Sequence, residues 1–188
     1  MTTLWLVRHG QTDWNISGRW QGSSAFAPGL NDLWRAQALA VRDQLNGEHF
    51  SAIYSSDLLR ARQTAGLIAE ARGLPVLLEP RFGEINLGKW EGMLSADIAA
   101  QYPHELDERR RDPLYFRPPG GESPCEVAVR VLAALREITQ KYPQDSILIV
   151  SHGVSLSVII CSAENYPMAE IYEHIPDNAR PHCLIWPN

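Results

Sequence analysis

The sequence predicts an α/β fold in which a central sheet is flanked by helices, and two observations carry that prediction. Short apolar runs alternate with stretches of helical spacing, the pattern of layered strands and helices. The runs "LWLV" (4–7) and "SILIV" (146–150) are apolar enough to be central strands covered on both faces. At 188 residues, 45% hydrophobic and 21% charged, the chain fits one globular domain with a sizeable core over 1–188. It contains neither repeats nor low-complexity tracts.

The elements follow in chain order. "LWLV" is the first strand, and Leu33 to Leu45 has helical spacing that stops at Gly47. "AIYS" (52–55) is the second strand, followed by a helix from Asp57 to Arg72 that stops at Gly73. "PVLL" (75–78) is the third. From about 86 to 121 periodicity fades into glycine, proline and charge, which predicts short helices and a loop. "SPCE" is a helix start: Ser123 can cap, Pro124 suits the first helical position, Glu126 closes a capping box, and Pro143 ends the run. This predicts a helix over 124–141. "SILIV" is the fourth strand and "CLIW" (183–186) a weaker fifth.

Bulk properties exclude several functions. The net charge of -5 argues against nucleic acid, which needs an extended basic footprint, while a small anion held by a few arginines remains open. Cys125, Cys161 and Cys183 are odd in number and outside any CxxC spacing, so neither a disulfide framework nor a zinc site is expected. No apolar run is long enough for a membrane span, and no basic-then-apolar leader opens the chain. A soluble cytoplasmic protein with reduced thiols and no membrane partner is expected.

Polar motifs gather at the strand ends. "RHG" follows the first strand, "SSDLLRARQTA" the second and "SHG" the fourth. If these strands are parallel, all three motifs meet at one sheet edge, where open α/β sheets bind ligands. Arg8, His9, Arg60 and His152 then converge, and helices beginning near Ser56 and Gly153 add amide donors suited to phosphate. A lone histidine at a strand end is ordinarily structural. Two histidines, each followed by glycine and each ending a strand, point instead to a phosphoryl site. Arg62 reads as a surface cation.

"LVRHGQTDWN", "SSDLLRARQTA", "FGEINLGKWEG" and "VSHG", in that order, resemble the histidine phosphatase superfamily, also called phosphoglycerate mutase-like. The resemblance runs from Leu4 to about Ser155, with a vaguer match in "PDNA" near Asn178. It implies a three-layer sandwich with a mostly parallel sheet and helices on both faces. His9 is then the nucleophile that forms a phosphohistidine, its other ring nitrogen donating to a backbone carbonyl. Arg8 and Arg60 clamp phosphoryl oxygens in a geometry that lysine cannot reproduce, and His152 donates to the same group. Glu84, otherwise an ordinary loop carboxylate, becomes the general acid and then the base toward water. Asn15, Gln21 and Gly22 resemble phosphate and substrate contacts, although Gln21 reads equally well as an exposed amide. Gly153 lets backbone approach closely. Cofactors are not implied, and no metal is needed because arginines and histidines supply the positive charge.

The resemblance also marks departures. Trp34 stands where the family usually has glycine, and "SSAFAPGLN" is looser than the usual link into the following helix. Residues 86–121 match the family's specificity insertion, so Arg109, Arg110, Arg111, Tyr115 and Arg117 become leaving-group candidates beside the plainer reading of a solvated face. Glu122 suits a helix start as well as a substrate contact. The implied activity is hydrolysis of small phosphorylated metabolites, in the manner of the family's α-ribazole and broad-specificity phosphatases. A cofactor-dependent phosphoglycerate mutase is the alternative, disfavoured by the short chain available for a lid. A non-catalytic phospho-ligand module comes last, because every residue of the chemical set is present. The substrate and a homodimer stay open.

Overall fold

A single mixed sheet runs in the order β3-β2-β4-β1-β5 in the computed structural model, which describes residues 1–187. The strands are β1 (Thr2–Arg8), β2 (Ala52–Ser55), β3 (Val76–Leu78), β4 (Ser146–Ser151) and β5 (Pro181–Trp186). The helices are α1 (Asp13–Ile16), α2 (Asp32–Gln44), α3 (Leu59–Glu70), α4 (Ser95–Gln101), α5 (Pro103–Arg111), α6 (Pro124–Lys141) and α7 (Gly153–Glu164). β1, β2, β3 and β4 pair in parallel, and β5 closes one edge antiparallel to β1. The expected mostly parallel sheet with helices on both faces is therefore present. No helix among the described residues is long and apolar enough to cross a membrane.

The central strands lack alternation because both of their faces are covered. Period two sends Leu4, Leu6, Ile147 and Ile149 into one core with Val131, Leu135 and Ile138 of α6 and Leu156 and Ile159 of α7. Val7, Ile53, Leu148 and Val150 point the other way, into a core with Val41 of α2 and Ala61, Ala65 and Ile68 of α3. α7 is apolar nearly all round, from Val154 to Cys161, because it is buried.

Element bounds follow local hydrogen bonding. α6 spans 124–141 as predicted, with the Ser123 hydroxyl accepting from the Glu126 amide and the Glu126 carboxylate accepting from the Ser123 amide at 2.8 Å. α2 is capped by Asn31, which accepts from the Trp34 amide at 3.1 Å. α3 corrects an expectation, since it starts at Leu59 and not near Ser56. The Ser56 amide still extends the sheet pairing to Val150 O at 3.0 Å, and its hydroxyl accepts from the Leu58 amide at 3.2 Å, so both groups are committed before the helix turns. The short helices expected within 86–121 are a 3₁₀ turn at Gly88–Trp90, then α4 and α5. They enclose a small cluster of Trp90, Ile98 and Phe116, with Trp20 edge-on to Trp90 at 5.5 Å.

Candidate active site

Parallel pairing puts the carboxyl ends of β1, β2 and β4 at one edge of the sheet, with Arg8 in register with Ser151 and Ser55 with Val150. Arg8, His9, Arg60, Glu84, Asn15, Gln21 and Gly22 line one cavity of about 290 Å³ there. His152 and Gly153 back these residues without forming its wall.

His9 is nearly fully buried, and the Nδ1 edge of its ring is 2.7 Å from Gly10 O. A carbonyl can only accept, so Nδ1 carries the proton and Nε2 keeps a lone pair. That lone pair accepts from Arg60 Nε at 3.1 Å. Asn178 Nδ2 donates to His9 O at 2.7 Å, fixing the backbone beneath the ring. Burial first, then the Arg60 cation, hold the His9 pKa well below the ordinary histidine value.

Arg60, in the first turn of α3, is buried and donates through Nη2 to Gly22 O at 2.7 Å. Burial brings its pKa down to about 10, against the opposing pull of Glu84 and Glu91. Gly22 is required at this contact, since its φ is +50° and a Cβ would stand 2.5 Å from Glu91 Oε1. One turn on, Thr64 donates to Arg60 O at 2.8 Å and accepts from the Gly10 amide at 3.1 Å, tying the two motifs together. Arg8 donates through Nη1 to Pro176 O at 3.0 Å, while its Nε is buried without a partner among the described residues.

His152 is completely buried, its ring centroid 5.0 Å from that of His9. Its Nε2 lies 2.8 Å from Ser56 Oγ, and its Nδ1 is buried without a partner among the described residues. Ser56 Oγ, which accepts from the Leu58 amide, can still either donate to His152 Nε2 or accept from it, according to the tautomer of the ring. In the tautomer whose Nε2 accepts the Ser56 proton, Nδ1 carries a hydrogen with no acceptor among the described residues. Burial is the largest cause keeping this ring neutral too, followed by Arg60.

Glu84 accepts from the Val154 amide at 3.2 Å and from its neighbour Ile85 at 3.0 Å. A Cβ on Gly153 would meet Ile175 Cγ2 at 3.1 Å and Glu84 Oε2 at 3.4 Å, so the approach is close. Asn15 Oδ1 caps α1 by accepting from the Thr12 amide at 3.0 Å. Gln21 is buried, which corrects the exposed-amide alternative: its Oε1 accepts from Thr12 Oγ1 at 2.9 Å.

The insertion residues separate. Arg109 reaches the cavity, whereas Arg110 pairs with Asp107, and Arg117 pairs with Glu126 at 2.6 Å. Arg111 and Tyr115 are exposed and line no part of it. Glu122 neither starts a helix nor lines this cavity; it binds Arg130 at 2.8 Å. Sequence reasoning did not single out Thr12, Thr64, Trp20 or Tyr172, and it read Ser56 only as the start of a helix. Thr64 carried a usable signal, four residues after Arg60 and hence on the same helix face.

The family model described as the histidine phosphatase superfamily (branch 1) matches residues 4–187. Phosphoserine phosphatase 1 of Hydrogenobacter thermophilus is 35% identical over 179 residues, covering 95% of this chain and 84% of that protein. A metal-independent phosphoserine phosphatase of Arabidopsis thaliana is 35% identical, with 85% and 67% covered. A protein named probable phosphoglycerate mutase GpmB from Erwinia tasmaniensis is also 35% identical, with 89% and 77% covered. Among solved structures, the α-ribazole phosphatase of Shigella flexneri superposes with a TM-score of 0.87 at 28% identity, covering 96% of this chain and 89% of that one.

Proposed function

Since this chain belongs to the histidine phosphatase superfamily, branch 1, we propose that it is a metal-independent phosphomonoesterase acting on small phosphorylated metabolites through a phosphohistidine. One observation carries the reading. His9 Nε2 holds its lone pair beside Arg60, and two buried nitrogens nearby, Arg8 Nε and His152 Nδ1, have no partner among the described residues. Buried donors without acceptors are costly, and a phosphoryl group brings the acceptors they lack.

In the first step His9 Nε2 attacks phosphorus, the bond from phosphorus to the ester oxygen breaks, and Glu84 delivers its proton to the departing alkoxide. Arg60 turns its Nε from His9 to the phosphoryl oxygens, and Arg8 and His152 donate to the same oxygens. In the second step Glu84 removes a proton from water, which attacks phosphorus. The phosphorus–nitrogen bond breaks, phosphate leaves, and His9 is regenerated. The buried guanidiniums and imidazole supply the charge stabilisation that a metal provides elsewhere. We assign the enzyme to the cytoplasm, in keeping with three free cysteines.

The test is phosphate release from p-nitrophenyl phosphate, phosphoserine, 3-phosphoglycerate and α-ribazole phosphate in the presence of EDTA, with His9→Ala alongside. EDTA-resistant release that disappears in His9→Ala, with an acid-labile phosphoryl-enzyme trapped from the wild type, supports the reading. The mutase-named relative favours a second reading: phosphoglycerate interconversion that requires added bisphosphoglycerate, without ester hydrolysis, replaces the phosphatase assignment.

A further inference from the structure

The peptide that joins His9 to Gly10 is gripped at both ends by side chains. Asn178 Nδ2 donates to its carbonyl, His9 O, at 2.7 Å, and Thr64 Oγ1 accepts from its N–H, the Gly10 amide, at 3.1 Å. Neither Thr64 nor Asn178 lines the cavity, so neither is placed to touch a substrate.

Thr64 is completely buried and spends its hydroxyl in two directions. Arg60 O, a carbonyl 2.8 Å away, can only accept, and the Gly10 amide can only donate, so the hydroxyl proton goes to Arg60 and a lone pair faces Gly10. The bond to a carbonyl four residues back is ordinary for a threonine inside a helix. The bond to Gly10 joins residues 54 apart in sequence and is not local. Gly10 is itself buried, and among the described residues its amide has no other acceptor, so removing the hydroxyl strands a buried N–H.

The peptide matters because the next carbonyl, Gly10 O, is the one 2.7 Å from His9 Nδ1. With no side chain, Gly10 does not fix its own carbonyl direction, and the neighbouring peptide must do so. With Gly10 O in place the ring proton stays on Nδ1. A proton on Nε2 instead would face Arg60 Nε–H at 3.1 Å, donor against donor. Both edges of the imidazole therefore trace to one face of α3, to Arg60 directly and to Thr64 through Gly10. On the opposite side, Ala179 next to Asn178 adopts φ +52°, a left-handed conformation unfavourable for alanine, and donates to Arg8 O at 3.0 Å. The chain accepts that strain where it delivers Asn178 to His9 O.

We infer that Thr64 is a positioning residue: with Asn178 at the other end of the His9–Gly10 peptide, it directs Gly10 O to the ring, keeps the proton on Nδ1 and frees Nε2 for attack. The catalytic consequence rests on the phosphatase reading above, whereas the tautomer can be observed without turnover.

The experiment therefore pairs a spectroscopic readout with a kinetic one. Ring nitrogen resonances of ¹⁵N-histidine-labelled enzyme, with the His9 signals identified by their loss in His9→Ala, report which nitrogen is protonated. Single-turnover release of p-nitrophenol reports the first step. The wild type is expected to show Nδ1 protonated and Nε2 bare. Thr64→Val, close in shape but without the hydroxyl, should move both signals toward a tautomer average and slow the first step about tenfold, with KM little changed. Thr64→Ser should restore most of both. Thr139→Val is the control, since Thr139 is buried on α6 and its hydroxyl donates only to Arg136 O, at 3.3 Å. It should alter neither readout. Asn178→Ala releases the other end of the peptide and should shift the same signals, with the double variant falling short of additivity. If Thr64→Val does not fold, Thr64→Ala and Asn178→Ala decide by the same signals. Unchanged His9 signals on loss of the hydroxyl overturn the inference whatever the rate does. Shifted signals with an unchanged first step overturn the positioning role in catalysis. A wild type that releases no p-nitrophenol overturns the phosphatase reading, while the ring signals still decide what holds the tautomer.

Discussion

His9 and His152 are two imidazoles buried against two guanidiniums, and this placement links folding to acidity. Burial and the Arg60 cation keep both rings neutral well below the ordinary histidine range. In the unfolded chain they titrate near about 6.5. Below that pH the unfolded chain binds protons that the folded site excludes. Stability from this source is therefore fully present above about pH 6.5 and is lost as pH falls toward the depressed folded values. Each ring contributes a slope of up to about 1.4 kcal/mol per pH unit. Urea unfolding at about pH 7.5, 6 and 5 should show this decline, and His152→Asn should flatten it by up to about half. An equally steep decline in that variant would locate the acid sensitivity in other groups. The same neutrality predicts that the nucleophile persists into mildly acidic solution. Ser56 Oγ lies 2.8 Å from His152 Nε2, and in the proposed mechanism it donates there so that Nδ1 carries the proton for the phosphoryl group. Ser56→Ala releases that tautomer and should lower kcat about tenfold with little change in KM, as loss of one transition-state donor does. A conservative Ser56→Thr retains the hydroxyl and should recover much of kcat; a KM effect alone would contradict the positioning role.

α6 links its own packing to the placement of Glu84. From its second turn Arg130 donates to Arg81 O at 2.7 Å, Gly83 O at 2.8 Å and Glu84 O at 3.1 Å, while Glu122 neutralises it from the other side. Three carbonyls gathered by one guanidinium hold the segment that carries the proposed acid. Arg130→Met keeps the aliphatic bulk but frees this segment. p-Nitrophenol leaves without needing a proton, whereas an alkyl alcohol does not, so kcat should fall about tenfold more for an alkyl ester than for p-nitrophenyl phosphate. Equal losses on both would indicate a role in folding alone. At this scale α6 was legible to the residue because Ser123, Pro124 and Glu126 are all local signals. α3 was legible in existence and late by a few residues in its start, because the pairing of Ser56 with Val150 is a long-range sheet contact that no local pattern encodes. α4 and α5 were readable only as short helices, interrupted at Tyr102 and Pro103.

Across the whole molecule, the gathering of "RHG", "SSD" and "SHG" was legible because each lies at the end of an apolar strand, and parallel pairing does the rest. The contacts that orient these groups were not. Arg8 is held by Pro176, His9 by Asn178 and Arg109 by Tyr172, all on a C-terminal segment far away in sequence whose polar residues carry no periodic signal. The two main cores share the same strands, with Ile147 and Ile149 on one face of β4 and Leu148 and Val150 on the other. Neither core can come apart without exposing the other, so we propose that 1–188 unfolds as one cooperative domain. The insertion is the place where this could fail, because Trp90, Ile98 and Phe116 form a separate small cluster. Trp20 and Trp90 report on that cluster, and Trp186 on the main core. Far-UV circular dichroism and tryptophan fluorescence should therefore give coincident urea transitions. Leu135→Ala, at a fully buried position under the sheet, should shift both together by about 2–4 kcal/mol. A fluorescence transition that precedes the circular dichroism one, and stays put in Leu135→Ala, would make the insertion an independently unfolding unit.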